Sequence, residues 1–268
     1  MTSMNVETDS LQISHDWVDP VRMAALCALL GLSEIRAVPF AHHVMFWDAR
    51  PNAELGRDGH PKLGGLIPDL GLPRRMWAGG RLRFHAPLEL GASAQKSSRL
   101  LGSKRKTGRS GDLAFISLEH RISQNGDLVI EDIQDLVYRQ DPDLDAPRPK
   151  APAAPTDADI SQTLSFSTTD LFRYSALTFN GHRIHYDRDY AREVEGYPGL
   201  VVHGPLLAQH LILLAERHLG QLDHFSFRAT APLFDDEAAT LALRESSDGL
   251  ALWVAAPDGR QCMQATAS

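Results

Sequence analysis

Apolar and polar positions along this chain fall into blocks with different periods. Behind Asp19-Pro20, positions 21–30 are rich in Ala and Leu, and Gly31 follows. Asp19 as N-cap, Pro20 at N1 and Gly31 past the end predict a helix. Alternation sets in at 81–85 and returns at 112–122 and 128–139, on either side of Gln124-Asn125-Gly126-Asp127. The Asn-Gly pair is a strong hairpin signal, so the first half reads as a helix followed by an antiparallel meander. Between them, residues 35–80 are irregular, rich in Gly and Pro, with aromatics at Phe40, Phe46, Trp47 and Trp77. A stretch this long without regular structure is expected to cover something, and 72–80 reads either as a lid or pocket wall or as a surface loop. Residues 93–106 are polar and basic, and 1–15 read as a loose tail.

The proline-rich stretch 141–160 reads as a linker, dividing the chain into an N-terminal unit, 1–140, and a C-terminal unit, 161–268. The second unit opens with a short strand at 163–167 and a helix through Leu177 capped by Thr169 or Asp170. A longer helix over 206–219 follows, with Pro205 in its first turn and Gly220 at its end. That helix is apolar on nearly every face at its start, which predicts deep burial. Strands at 223–229, 238–244 and 250–255 complete the pattern. Leu82-Arg83-Phe84-His85-Ala86-Pro87-Leu88 can be laid on Phe227-Arg228-Ala229-Thr230-Ala231-Pro232-Leu233, with Arg, Ala, Pro and Leu coinciding. With the central linker, this echo predicts a duplicated helix-plus-sheet unit.

Composition narrows the function classes. The 268 residues carry a formal net charge of −7, which argues against a nucleic-acid binder. The longest apolar run, 205–214, is interrupted by Gln209 and His210 and is too short to cross a bilayer. Residues 1–14 have no apolar signal core. Cys27 and Cys262 share no motif and suit a reducing compartment. The expectation is a soluble cytoplasmic protein with no membrane partner.

The chemistry concentrates in Phe179-Asn180-Gly181-His182-Arg183-Ile184-His185-Tyr186-Asp187, followed by Pro198-Gly199-Leu200-Val201-Val202-His203-Gly204-Pro205. Adding water across a double bond conjugated to a carbonyl needs a base, a proton for the α carbon and fixed donors for the carbonyl oxygen. His185 can be the base. Asn180 can hold the water or bond the imidazole, though an amide takes no proton at neutral pH. Gly204, at the start of the buried helix, offers a backbone N–H without an internal partner and with the helix dipole behind it. A metal reading of His182 and His185 with His203 and His210 lacks a completing cysteine, and the chemistry needs none, so no metal is expected. The first half has no equivalent polar cluster, so one active site is expected.

These stretches resemble the MaoC-like, hotdog-fold hydratases, whose motif Ser-Gly-Asp-x-Asn-Pro-x-His falls on Thr178 to His185, placing His185 on the catalytic His and Asn180 on the catalytic Asp. The family's oxyanion His-Gly falls on His203-Gly204. The chain departs from the motif with Asn for Asp, Phe for Gly and His-Arg for Asn-Pro. With Pro-Arg-Arg-Met-Trp-Ala-Gly-Gly-Arg-Leu and Phe-Arg-Ala-x-Ala-Pro-Leu-Phe, the pattern resembles the branch of mesaconyl-C4-CoA and itaconyl-CoA hydratases and the related type 2 hydroxyacyl-thioester dehydratases. The resemblance implies an α+β double hotdog, two curved antiparallel sheets each wrapped around a long helix. It also implies a hydro-lyase forming citramalyl-CoA from itaconyl-CoA or mesaconyl-C4-CoA. Alternatives are a dehydratase for linear 3-hydroxyacyl thioesters and a non-catalytic acyl-CoA-binding protein. No separate cofactor is implied, coenzyme A being part of the substrate, and a homodimer is compatible. A substrate carboxylate would want an arginine, with Arg183, Arg81, Arg74 and Arg75 as candidates. His182 and His203 are expected around the substrate, and Arg228, or the run Lys104-Arg105-Lys106, near the CoA phosphates.

Overall fold

The long apolar helix predicted from the sequence is the buried axis of the molecule: α4 (Gly204–Leu219) buries Leu206 through Gln209 and Leu211 through Ala215. The polar interruption Gln209 is satisfied, its Nε2 donating to the Pro39 carbonyl (2.9 Å). The computed structural model describes residues 10–108, 111–141 and 150–268. Three further helices, α1 (Pro20–Leu29), α2 (Thr168–Thr178) and α3 (Arg188–Glu193), accompany ten strands: β1 (Gln12–Trp17), β2 (Arg74–Phe84), β3 (Ser93–Gly108), β4 (Gly111–Gln124), β5 (Asp127–Arg139), β6 (Ile160–Ser165), β7 (His224–Ala229), β8 (Ala238–Ser246), β9 (Gly249–Ala255) and β10 (Gln261–Ala267).

The strands form one antiparallel sheet in the order β1-β3-β4-β5-β2-β7-β10-β9-β8-β6. Read inward from either edge, the order is the same, the arrangement a duplicated unit leaves. Arg81 and Ser226, the positions just before the two echoed segments, face each other across the central β2–β7 pair. The echo extends to hydrogen bonds. His85 and Ala86 both donate to the Val129 carbonyl (2.9 and 3.3 Å), and Thr230 and Ala231 both donate to the Cys262 carbonyl (2.9 and 3.3 Å). The two units are furnished differently. Among the described residues, only the second carries a long helix against its sheet; in the first, residues 31–73 hold only short 3₁₀ turns between α1 and β2.

Several expectations change. Residues 12–15 belong to β1, which pairs with β3, while 1–9 of the expected tail lie outside the described residues. Of the expected linker, 142–149 also lie outside them, and the part after it is docked: Gln261 N–H donates to the Pro152 carbonyl (2.8 Å). The stretch 74–80 is neither lid nor loop but the first half of β2, and its residues 74–77 line a cavity, as the pocket-wall reading expected. Its glycines hide the strand, and they are there for close approach. A Cβ at Gly79 would stand 2.4 Å from the Phe227 carbonyl oxygen, and one at Gly80 2.8 Å from the Phe227 ring. The polar run 93–106 is β3, and inward positions of that strand, Lys96 and Ser98, face a polar cavity. β10 was not foreseen, because a bulge buries Gln261, Cys262 and Met263 in succession and breaks the period of two. Cys27 and Cys262 are buried and unpaired.

The cap of α2 is Ser167 rather than Thr169 or Asp170. Its Oγ accepts from the Asp170 N–H (3.2 Å), and Asp170 Oδ2 accepts from the Ser167 N–H (2.9 Å), a reciprocal capping box. Ser167→Ala is expected to lower unfolding free energy by about 1 kcal/mol, read from urea denaturation.

Candidate active site

Helix α2 ends at Phe179, whose φ of 51° turns the chain sharply. A bulky residue in this left-handed conformation costs about 1 kcal/mol, and here the Phe179 ring is stacked on Trp47 (5.2 Å, 16°). The turn is closed by Asn180, whose Oδ1 accepts from the His182 N–H (3.0 Å). The 3₁₀ turn Arg183–His185 follows. The two stretches singled out in the sequence then join: Val201 N–H donates to the Ile184 carbonyl (3.0 Å), and His185 Nδ1–H donates to the Val201 carbonyl (2.7 Å).

That last bond fixes the imidazole. A carbonyl only accepts, so Nδ1 carries the proton and Nε2 keeps its lone pair. Burial pushes the His185 pKa down to about 4, leaving a neutral ring that can take a proton. Its other face stacks on His203 (3.6 Å, 18°). His203 is fully buried, shares a hydrogen bond with Ser175 Oγ through Nε2 (2.8 Å), and does not line the cavity. It supports His185 rather than meeting a substrate, which corrects its expected position.

His185, Asn180, His182 and Gly204 all line one cavity of about 540 Å³. Pro205 has no N–H, and Leu206 and Leu207 both donate to the His203 carbonyl (3.1 Å each). Among the described residues Gly204 is thus left with a backbone N–H that has no partner, at the α4 terminus, and a Cβ there would meet nothing within 4 Å. The cavity adjoins a wider one of about 1200 Å³, with His60, Arg75, Lys96 and Phe46 shared by both linings.

The first half supplies polar groups the sequence reading missed. Asp132, with no exposed surface, accepts from His42 Nε2 (3.1 Å) and Gln134 Nε2 (2.9 Å), with His43 Nε2 at 3.7 Å. Burial alone would raise its pKa, but the hydrogen bond from His42 and the neighbouring His43 ring hold it well below the usual carboxylate range. Asp58 Oδ2 accepts from His60 Nδ1 (3.1 Å), and the His60 ring lies 4.5 Å from that of His182. The histidine set weighed from the sequence forms no metal site, since His185 and His203 stack face to face. Two other groups, His42-His43-Asp132 and Asp58-His60-His182, have ligand atoms within 4.8 Å of one another and could hold an ion. The signals were the adjacent His42-His43 and the Asp-Gly-His of 58–60, inside the segment read only for its aromatics.

The arginines sort by what they already hold. Arg183 lies outside the cavity, its Nε and Nη2 on Asp187 Oδ2 (3.0 and 2.7 Å) and its guanidinium over Tyr190, so it does not serve a substrate carboxylate as expected. Arg81 is exposed, paired with Asp135 and absent from the cavity wall; Arg228 is also exposed on the outer face of the sheet. Lys104-Arg105-Lys106 stands on β3, likewise away from both cavities. The reason is the same for Arg81 and Arg228: the strand alternation that buries Leu82 and Phe227 turns these side chains outward. Arg74 lines the cavity but is committed to Glu195 and stacked on Tyr197. Arg75, half-buried in the wall, makes no hydrogen bond or ion pair among the described residues.

The model of the family Hydroxyacyl-thioester dehydratase type 2 matches residues 41–235. The chain belongs to that family. The chain is 46% identical over 230 residues to the mesaconyl-C(4)-CoA hydratase of Chloroflexus aurantiacus, covering 85% of this chain and 82% of that one. Its structure matches a MaoC-like dehydratase from Phytophthora capsici with a TM-score of 0.70 at 13% identity, over 99% of this chain and 96% of that one. It also matches a double-hotdog protein of Mycobacterium tuberculosis with a TM-score of 0.59 at 15% identity, over 97% and 96%. The fold is therefore a double hotdog, and the activity class that of a hydro-lyase interconverting enoyl and hydroxyacyl thioesters. Among the described residues, no helix is long and apolar enough to cross a membrane.

Buried histidines contribute to the acid response of the fold. His43, His120, His185 and His210 are each held down to about 4 by desolvation first. Between that value and the unfolded 6.5, the unfolded chain binds more protons than the folded one, so stability rises with pH in this window and falls as pH drops. The urea midpoint at pH 5.5 is expected below that at pH 7.5, by about 1 kcal/mol of stability per histidine. An equal or higher midpoint at pH 5.5 would contradict it.

Proposed function

We propose that the protein hydrates a branched C5 dicarboxylic enoyl-CoA, itaconyl-CoA or mesaconyl-C4-CoA, to citramalyl-CoA. The observation carrying this reading is Arg75, a guanidinium in the wall of the cavity that holds His185 and Gly204, with no ion pair among the described residues. Lys96, its pKa lowered by burial, lines the same space and adds a second positive charge. Asp48, Asp132 and Glu195 of the same wall are engaged by Arg50, His42 and Arg74. Cations near the reacting groups, without an ion pair among the described residues, suit a substrate with a free carboxylate better than an alkyl chain, and the relative named for mesaconyl-C(4)-CoA supports it. In this mechanism His185 Nε2 takes a proton from water as the oxygen bonds the β carbon. The Nδ2 of Asn180, which has no hydrogen-bond partner among the described residues, holds that water. Gly204 N–H receives the thioester oxygen as it gains enolate charge, a contact worth roughly 3 kcal/mol in the transition state.

The test is loss of enoyl-thioester absorbance with itaconyl-CoA, mesaconyl-C4-CoA and crotonyl-CoA offered in parallel. Fast hydration of the dicarboxylic pair supports the reading. Turnover of crotonyl-CoA alone would move the protein to linear acyl chains, and binding without turnover to a carrier role.

A further inference from the structure

The mechanism just given leaves one proton unassigned. The α carbon must gain one, and the family's carboxylate is replaced by Asn180, which cannot supply it. We infer that the Asp58–His60 pair, from the irregular segment of the first half, is the second proton-transfer group of the site, with His60 acting on the substrate α carbon and Asp58 positioning it. The inference rests on the hydratase reading above.

The pair is built against the catalytic turn. Gly59 lies so close to Gly181 that a Cβ on it would stand 1.9 Å from the Gly181 carbonyl oxygen, and its φ of +90° suits glycine. Arg183 N–H donates to the Asp58 carbonyl (2.9 Å), and Arg183 Nη1 donates to the Arg57 carbonyl (3.2 Å). The arginine expected to bind substrate thus clamps this segment to the turn bearing His185. Asp58 holds His60 twice, Oδ1 accepting from its backbone N–H (3.1 Å) and Oδ2 from Nδ1–H (3.1 Å). With Nδ1 so engaged, Nε2 is the atom left for a substrate, and His60 lines the cavity beside His182. Asp58 and the imidazole of His60 are faced by Arg75 on β2 and by His182 and His185 on the turn.

The proton balance closes on these groups. In hydration, an O–H bond of water breaks toward His185 Nε2 while the oxygen bonds the β carbon. The electron pair of the double bond moves onto the α carbon and thioester oxygen. Burial and the nearby Arg75 keep the resting His60 neutral, so the proton that the α carbon takes from His60 Nε2 is the one first removed from water, with Nδ1–H staying on Asp58 throughout. That proton passes from His185 to His60 through His182, whose ring centroid is 5.4 Å from that of His185 and 4.5 Å from that of His60, and then to the α carbon, so that all three rings end neutral. One water is consumed and the protein ends as it began.

The experiment compares wild type, His60→Ala and Asp58→Asn on the three thioesters, with thermal melting as a control for folding. For His60→Ala we expect kcat to fall about 100- to 1,000-fold with KM within about threefold, and imidazole added to the assay to restore at least about a tenfold rate. A set of methylated imidazoles should rescue in the order of their basicity, which repair of a merely structural defect would not produce. Asp58→Asn should lower kcat by at least about tenfold. Wild-type kcat in His60→Ala, or loss that no imidazole rescues, overturns the assignment while leaving the hydratase reading intact. A stoichiometric metal ion in the purified protein, lost in His60→Ala, also overturns it. A wild type inert on all three thioesters removes the hydratase reading and this inference with it.

Discussion

His185→Ala is expected to lower kcat for the preferred enoyl-CoA by about 1,000-fold, with binding of CoA retained. The expectation follows from the tautomer. Val201 fixes the proton on Nδ1, so Nε2 is the basic atom facing the cavity, and burial keeps it unprotonated at neutral pH. Removing the ring also uncovers the buried face of His203, so part of any loss in the alanine variant is structural. His185→Gln separates the two effects. Its side-chain amide can still donate to the Val201 carbonyl, but it presents nothing that accepts a proton at neutral pH. It should therefore melt close to wild type and be nearly as inactive as the alanine variant. A glutamine variant with more than a tenth of wild-type kcat would remove His185 from the chemistry and leave it a structural role.

The second-half groups were legible because they lie in short, contiguous motifs whose local geometry follows from the residues: an Asx turn at Asn180, a 3₁₀ turn ending at His185, and a Pro-led helix that leaves the Gly204 N–H free. The hairpin at Asn125-Gly126 and the buried α4 were legible for the same reason. The first-half groups were not. Asp132 lies on β5 and meets His42 across ninety positions of sequence, a pairing no period reveals. The same cavity disguised the strands that form it. Lys96 and Ser98 take inward positions on β3 where an ordinary sheet would place Val or Ile, so alternation vanished where function required polarity. Arg183 shows the opposite error. Its place inside the motif suggested a substrate contact, while its guanidinium is spent on Asp187 and on the backbone of the docked segment.

Arg75→Gln should separate dicarboxylic from linear substrates. If the guanidinium receives the free carboxylate of a C5 substrate, its loss leaves that charge in a partly desolvated cavity without a partner. Two charge-assisted hydrogen bonds of this kind are worth roughly 3 kcal/mol, which is about 100-fold in kcat/KM. Crotonyl-CoA, with no carboxylate, should change by less than about threefold in the same variant. Arg75→Lys should recover only part of the loss, because an ammonium keeps the charge and not the planar fork that meets both oxygens. Stability offers the internal control. Arg75 makes no hydrogen bond or ion pair among the described residues, so its replacement breaks none, unlike Arg74, whose removal would strand Glu195 in a buried site. Equal losses on all three thioesters would mean that Arg75 serves the part of the substrate they share, the CoA thioester itself, and the choice of a dicarboxylic acyl group would then have to rest on Lys96, the other cation in the wall without an ion pair among the described residues.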